Sequence, residues 1–359
     1  MNDRPLRLLW FNLATDADAP NLGFTTEWIN ALAQHCEYID VISMRVGRVD
    51  VAPNVRVYSL GKERGYSEAR RAGRFYRLLW ATLRDRRHDA CFAHMQPLFA
   101  AMAAPLLRLH GVPLTLWYAH RSVTLRLRLA AMAATRVVSS SREGFRLSDD
   151  KLRITGQGID VDRFTPADPA RGPFTLLSLG RIAPVKRQET LLSAAQLMAE
   201  HGARFRLRVL GTVYPQDRQY ACDLRAQVER SCLKDCVEFA GAVPHDQVPA
   251  ELRRAHVMVN LSATGSIDKA VLEAMACGIP VVTANEAFVE MLSPWAGHVL
   301  TPPDNPKVLA QRLQGLMAME SGARVELGLE LRALVERDHS MQHLVENLLA
   351  VFRSGEPVA

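Results

Sequence analysis

Long apolar runs are missing from this 359-residue chain. No stretch approaches the ~18 consecutive apolar residues that a spanning helix needs. The opening MNDRPLRLLWFNL has an acid near its start and only a short apolar run, so the expectation is a chain neither secreted nor membrane-spanning. Cysteine is sparse: six in all, no two in a C-x-x-C pair, and no His or Cys pair at zinc spacing to complete a set with Cys232 and Cys236. That pattern argues against a disulfide framework and a zinc site, and reduced cytosolic thiols are expected. Glycine and proline, 21 and 19 residues, are at ordinary levels, which removes collagenous and low-complexity readings. No repeat of solenoid period occurs. Neither half opens with G-x-G-x-x-G, which speaks against a nicotinamide dehydrogenase.

The length favours two domains, because a single core stops gaining from size near ~250–300 residues. Charge is unevenly spread: the formal net charge is +6, and residues 61–87 alone hold nine Lys/Arg against Glu63, Glu68 and Asp85. There Arg70, Arg71, Arg74, Arg77 and Arg84 recur near helical spacing beside Phe75, Tyr76 and Trp80. The plain reading is a solvated surface helix; the sharper one is a helix on an anionic lipid surface or an anionic acceptor. Nothing resembling a recognition helix or RNA-binding signature accompanies the charge, so nucleic acid is not expected as a partner.

Strand-like runs alternate with helical patterns, the look of parallel sheets covered on both faces. In the first half the runs are Leu6–Phe11, Ile39–Ser43, Val55–Leu60, Ala90–His94, Leu114–Tyr118 and Arg136–Ser139. A second series follows at Phe174–Leu179, Arg206–Leu210, Val237–Phe239, Val257–Leu261, Pro280–Thr283 and His298–Leu300. The Gly-, Pro- and Asp-rich stretch 156–173 separates them as a linker, and a cleft between two such units is the expected ligand site. Beyond residue 304 the pattern is helical.

Two segments carry chemistry. In NLSATGSIDKAVLEAMACGIPVV, Asn260 to Val282, a strand ends at Leu261, Gly265 turns, Ser266 is placed to cap, Ile267–Ala276 reads as helix, and Gly278 with Pro280 stops it. Backbone amides of such a loop and the positive end of the helix suit a phosphate or a hydroxyl-rich ligand, and Asp268 suits the same dipole. Glu273 sits among Ala270, Val271, Leu272, Ala274 and Met275, so it needs an internal ion pair or a ligand's hydroxyls. In LSLGRIAPVKR, a strand delivers Gly180 and Arg181, with Lys186 five residues on, two cations placed for a diphosphate. Alone, such a loop reads as solvated surface, and its value comes from the motifs around it.

Taken together, LGRIAPVKRQETLLSAAQLM, LRVLGT, VEFAGAVPHDQVPAELRRAHVMVN and LEAMACGIPVV, in that order, resemble the donor-binding half of retaining family 4 glycosyltransferases. The resemblance implies α/β architecture of GT-B type: two Rossmann-like doubly wound domains facing across a cleft. It implies an acceptor domain over 1–160, a donor domain over 161–336 and a terminal helix within 337–359 packing back on the first. Arg181 and Lys186 would bind the donor diphosphate, Glu273 the ribose, and Gly180, Gly211 and Val243 would line the nucleotide. Eight residues before Glu273, where the family carries its first glutamate, stands Gly265. Sugar contacts would then come from the backbone of Gly265, Ser266 and Ile267, or from Asp268 or Lys269. More weakly, His120 in LTLWYAHRS matches a catalytic histidine, His94 a ligand-binding one, and Gly23 in NLGF a loop glycine.

The chemistry implied is retaining transfer of a sugar from a nucleotide diphosphate-sugar, UDP first among bases, to a glycan or lipid-linked acceptor in surface-glycan or glycolipid assembly. No resident cofactor or metal is called for; the triplets Asp16-Ala-Asp18 and Asp160-Val-Asp162 are set aside as metal sites. A cytoplasmic protein, peripheral on the inner face of the membrane, is the expected location. A nucleotide-sugar epimerase and a non-catalytic sugar-nucleotide binder remain the alternatives.

Overall fold

Residues Leu8, Leu9, Trp10 and Phe11 are all fully buried, although neighbours on a strand point to opposite faces. Both faces of their sheet must therefore be covered. In the computed structural model, which describes residues 4–19, 23–168 and 172–354, the chain divides into two compact units. One comprises Met1–Gly158 with Met341–Ala359, the other Ile159–Ser340. Residues 169–171 of the expected linker lie outside the described residues.

The first unit contains β1 (Leu6–Thr15), β2 (Cys36–Val46), β3 (Val55–Ser59), β4 (Ala90–His94), β5 (Leu114–Trp117), β6 (Arg136–Ser139) and β7 (Leu152–Ile154). They form one sheet in the order β3-β2-β1-β4-β5-β6-β7, every pairing parallel. Helix α1 (Phe24–Ala33) and the chain's last helix, Met341–Arg353, cover one face, packing Trp28, Ile29, Leu348 and Phe352 on Leu8, Trp10, Ile39 and Phe92. Helices α2 (Glu68–Asp85), α3 (Pro97–Leu109) and α4 (Leu125–Ala133) cover the other, setting Phe75, Leu79, Phe99 and Leu127 on Leu9, Phe11, Ile42 and Cys91. Each of these large side chains contributes about 1.5–3 kcal/mol on burial.

The second unit holds β8 (Phe174–Leu179), β9 (Phe205–Leu210), β10 (Val237–Gly241), β11 (Val257–Asn260) and β12 (Val281–Thr283) in the order β10-β9-β8-β11-β12, again all parallel. Its helices are α5 (Gln188–Glu200), α6 (Arg218–Glu229), α7 (Val248–Arg253), α8 (Lys269–Ala276), α9 (Ala296–Val299), α10 (Pro306–Ala318) and α11 (Ser321–Asp338). The last helix of the chain is α12 (Met341–Arg353). The run His298–Leu300 is not a strand. A 3-10 turn, Ser293–Trp295, runs directly into α9, and only Leu300 reaches the sheet, as a bridge to Thr283. Strand β7, a three-residue edge, was too short for its pattern to show.

Strand order reverses between β8 and β11, so the connections leaving these two strands diverge and open a crevice at their carboxyl ends. In the first unit the same reversal falls between β1 and β4.

Candidate functional site

Both motifs of the second unit converge on that crevice. After β8 the chain turns at Gly180, whose φ of 143° suits glycine, and passes Arg181 into a 3-10 turn at Pro184–Lys186. After β11 it runs through the loop 261–268 into α8. The Ala263 amide donates to the Val185 carbonyl at 3.0 Å, stitching the two loops together. The Lys186 ammonium donates to Asp268 Oδ2, which also accepts from Asn260 Nδ2 at 3.0 Å. Asp268 Oδ1 accepts from the Ala270 amide at 3.3 Å, so Asp268 caps α8. This corrects the expected cap: Ser266 lies too far up the loop, and its carbonyl is instead held by Asn285 Nδ2 at 2.9 Å.

Asp268 is thus triply held. Burial pushes its carboxyl up, but the Lys186 ammonium, with Asn260 and the Ala270 amide, overrides this and keeps it below the usual carboxylate range. Arg181 faces a second carboxylate, Asp217, at 3.8 Å, beyond hydrogen-bond reach, and lies over the Tyr214 ring at 5.2 Å. Each expected phosphate cation therefore stands beside an acid, so the four groups sum to zero formal charge.

Gly211 owes its identity to packing. A Cβ there would lie 1.7 Å from the Gly180 carbonyl oxygen, because the ends of β8 and β9 abut through Gly180 N to Leu210 O and Ile182 N to Thr212 O bonds of 2.9 and 3.0 Å. Gly265 has a φ of 63°. Ile267 turns its side chain into the core, and Val243 packs on that core from the loop after β10.

Glu273 lies on α8, where Val271, Leu272, Ala274, Met275 and Ala276 are all buried, and is itself 6% exposed. Its Oε1 meets His245 Nε2 at 3.3 Å; among the described residues Oε2 has no hydrogen-bond partner. His245, in the turn after β10, is positioned by Arg163 donating to its carbonyl at 2.6 Å and by the Phe164 ring at 6.0 Å. Among the described residues no lysine or arginine forms an ion pair with Glu273. Arg332, which could have served, donates instead to the carbonyls of Phe164, Ala276 and Val161. His245 was visible in VPHDQ, but no local spacing tied it to a residue 28 positions away.

In the first unit, His120 follows β5 and its amide donates to the Gly144 carbonyl at 2.8 Å. The Ser122 amide donates to His120 Nδ1 at 3.1 Å, placing the ring proton on Nε2. Burial, then the neighbouring Arg121, lowers its pKa, so the neutral ring is a hydrogen-bond donor near neutral pH. His94, the last residue of β4, is 2% exposed and enclosed by Trp28, Trp117 and Phe24 at 5.1, 4.8 and 6.0 Å. Gly23 precedes α1, and its amide already donates to the Ala19 carbonyl at 2.9 Å; its neighbour Asn21 lies outside the described residues. Asp16 and Asp160 each accept a backbone amide two residues on, the geometry of a turn. Among the described residues no group of three or more His, Cys, Asp or Glu could hold a metal ion. A cavity of about 60 Å³ lined by Arg253, His256, Cys277 and Arg324 lies at the opposite edge of the second sheet, where β11 and β12 begin, and is no part of this crevice.

Residues 173–319 match the family model described as Glycosyl transferases group 1. This stretch holds Arg181, Lys186, His245, Asp268 and Glu273. Over 215 residues, 57% of this chain and 52% of the relative, the sequence is 30% identical to an Escherichia coli protein provisionally assigned as the colanic acid biosynthesis glycosyltransferase WcaL. Over 195 residues, 53% of this chain and 50% of the relative, it is 26% identical to the GDP-mannose:cellobiosyl-diphosphopolyprenol alpha-mannosyltransferase of Xanthomonas oryzae pv. oryzae. The chain spans about half the length of the curated relatives it matches. Among solved structures it superposes on sucrose-phosphate synthase from Thermosynechococcus elongatus with a TM-score of 0.78 at 17% identity, covering 97% of this chain and 98% of that one. HepE of Anabaena in complex with UDP and glucose gives 0.76 at 15% identity, covering 97% and 100%. The fold is that of GT-B enzymes, two parallel-sheet α/β domains.

Proposed function

We propose that this protein is a retaining glycosyltransferase of surface-glycan assembly, which moves a sugar from a nucleotide diphosphate-sugar to an acceptor hydroxyl. The observation that carries the reading is Glu273: a carboxylate buried in an apolar helix face with one oxygen on His245 and the other unpartnered. A vicinal diol can supply one donor to the open oxygen and a second to the lone pair that His245 leaves free on the other, and the pentose of a nucleotide has such a diol. The same crevice holds Lys186 and Arg181 beside the amides of 265–267, donors suited to a diphosphate. The group 1 match over 173–319 and the similarity to WcaL support a transferase over the alternative epimerase.

In this reading the bond from the anomeric carbon to the leaving phosphate oxygen breaks, and its electron pair leaves with the diphosphate. Lys186 and Arg181 stabilise that charge. The acceptor oxygen bonds the same face of the carbon, and its proton passes to the leaving phosphate. In the first unit, His120, neutral with its proton on Nε2, is the side chain we assign as a donor to a sugar hydroxyl. Asp268 stands three positions after Gly265 and supplies the loop's acid; anchored on Lys186 and Asn260, it holds the ammonium in place until phosphate arrives.

The test is donor binding. A panel of UDP-, GDP-, ADP- and dTDP-sugars is titrated against wild type and Glu273→Gln by calorimetry; GDP-mannose belongs in it because the Xanthomonas relative is named for it. Loss of a charge-assisted pair of hydrogen bonds to ribose predicts about 10–100-fold weaker binding in the variant. Equal affinity would remove Glu273 from the site and the proposal with it.

A further inference from the structure

The face that α2, α3 and α4 turn to solvent exposes large apolar side chains in a cluster, where a solvated helix layer leaves them scattered. On α4, Leu125, Leu129 and Met132 recur at i, i+4 and i+7 and are 71%, 49% and 75% exposed, while Leu127, Ala130 and Ala131 fill the core behind them. Leu109, at the end of α3, is 75% exposed. Arg108 reaches across to the Ala133 carbonyl at 3.3 Å, and the His110 ring stands edge-on to Trp80 of α2 at 6.1 Å. The three helix surfaces are therefore continuous.

Charge runs with them. From Ala90 to Arg142 the sequence contains six arginines and no Asp or Glu. Arg108, Arg126 and Arg128 are exposed, and none has an ion-pair partner among the described residues. A stripe of leucine and methionine flanked by unpaired guanidinium groups matches the two layers of a lipid interface: acyl chains below, phosphates above. A second copy of the chain would set arginine against arginine, which charge complementarity disfavours. No helix among the described residues is long and apolar enough to cross a membrane, so the fit is to lying on a bilayer.

We propose that this face of the first unit docks on an anionic lipid bilayer, with Leu109, Leu125, Leu129 and Met132 entering the acyl boundary and Arg108, Arg126 and Arg128 on lipid phosphates. The inference goes beyond the transferase reading and stands or falls without it. The full chain is sedimented with vesicles of phosphatidylcholine alone, and with vesicles of phosphatidylcholine and phosphatidylglycerol at about two to one, at low and high salt. Binding is expected to the anionic vesicles only, and to fall as salt rises. Each arginine near the surface contributes about fivefold, so Arg126→Glu/Arg128→Glu lowers partitioning at least about 25-fold. Leu125→Ser/Met132→Ser weakens binding to the same vesicles at unchanged charge; if that pair melts early, Met132→Gln alone carries the test. Wild-type protein left in the supernatant with anionic vesicles at low salt overturns the proposal. So do variants that bind as wild type does, and so does a wild-type dimer that the Leu125/Met132 variant converts to monomer.

Discussion

Replacing Lys186 by Ala strands a buried charge. The Asp268 side chain is 14% exposed and loses the ammonium that balances it, keeping only Asn260 Nδ2 at 3.0 Å and the Ala270 amide at 3.3 Å. Breaking a buried pair from one side costs about 3–5 kcal/mol; the two surviving bonds put this pair at the low end, about 3 kcal/mol. For a unit of the size of Ile159–Ser340 each kcal/mol moves the midpoint by about 2–4 °C, so a fall of about 6–12 °C is expected for its transition by scanning calorimetry. Adding Asp268→Asn removes the stranded charge, keeps an acceptor toward Ala270, and should return most of the loss. Donor affinity should stay low in the double variant, because nothing replaces the ammonium. The sign with pH follows from the lowered carboxyl of Asp268. The pair's contribution is complete above the unfolded carboxylate value near ~3.9, and is lost as pH falls through the lower folded value. The gap between Lys186→Ala and wild type should therefore close only in strong acid. A single variant melting within about 1 °C of wild type, or a double variant no more stable than the single, refutes this account of the pair.

Gly211→Ala drives a Cβ to 1.7 Å from the Gly180 carbonyl oxygen; a cost of about 3 kcal/mol or more should appear as a clear drop in melting temperature, and an unchanged melt would mean that these loops part easily. Arg136 is 6% exposed, its Nε and Nη1 have no hydrogen-bond partner, and burial pushes its pKa down. Arg136→Met should raise stability by about 1–3 kcal/mol in urea unfolding, and a destabilised variant would count against an uncompensated guanidinium. For His120, an NMR titration should place the midpoint below the ordinary 6.5, with stability rising with pH between the folded value and 6.5; Arg121→Ala should move it up, and a wild-type midpoint at or above 6.5 contradicts the assigned causes.

Much of the frame was readable because parallel strands buried on both faces leave continuous apolar runs: Ala90–His94, Arg136–Ser139 and Phe174–Leu179 coincide with β4, β6 and β8 residue for residue. Errors gathered where local signals compete. Val299 and Leu300 carry a strand's apolarity but end a short helix, and Ser266 and Asp268 are both good caps, decided by Lys186 and Asn260 from outside the loop. The site was legible as residue types at strand ends, yet its charge balance was not. The pairing of Lys186 with Asp268 spans 82 residues and that of Glu273 with His245 spans 28, distances over which periodicity carries no information.

Helix α12 places Leu344, Val345, Leu348, Leu349, Val351 and Phe352 in a core whose other buried members, Leu6 to Val138, all lie far upstream of it. On a ribosome the second unit, Ile159–Ser340, emerges whole before that helix does. Translation order is thus inverted for folding: the unit begun first is completed after the second, and until then the part of its sheet face that α1 leaves to α12 must be shielded by chaperones or wait uncovered.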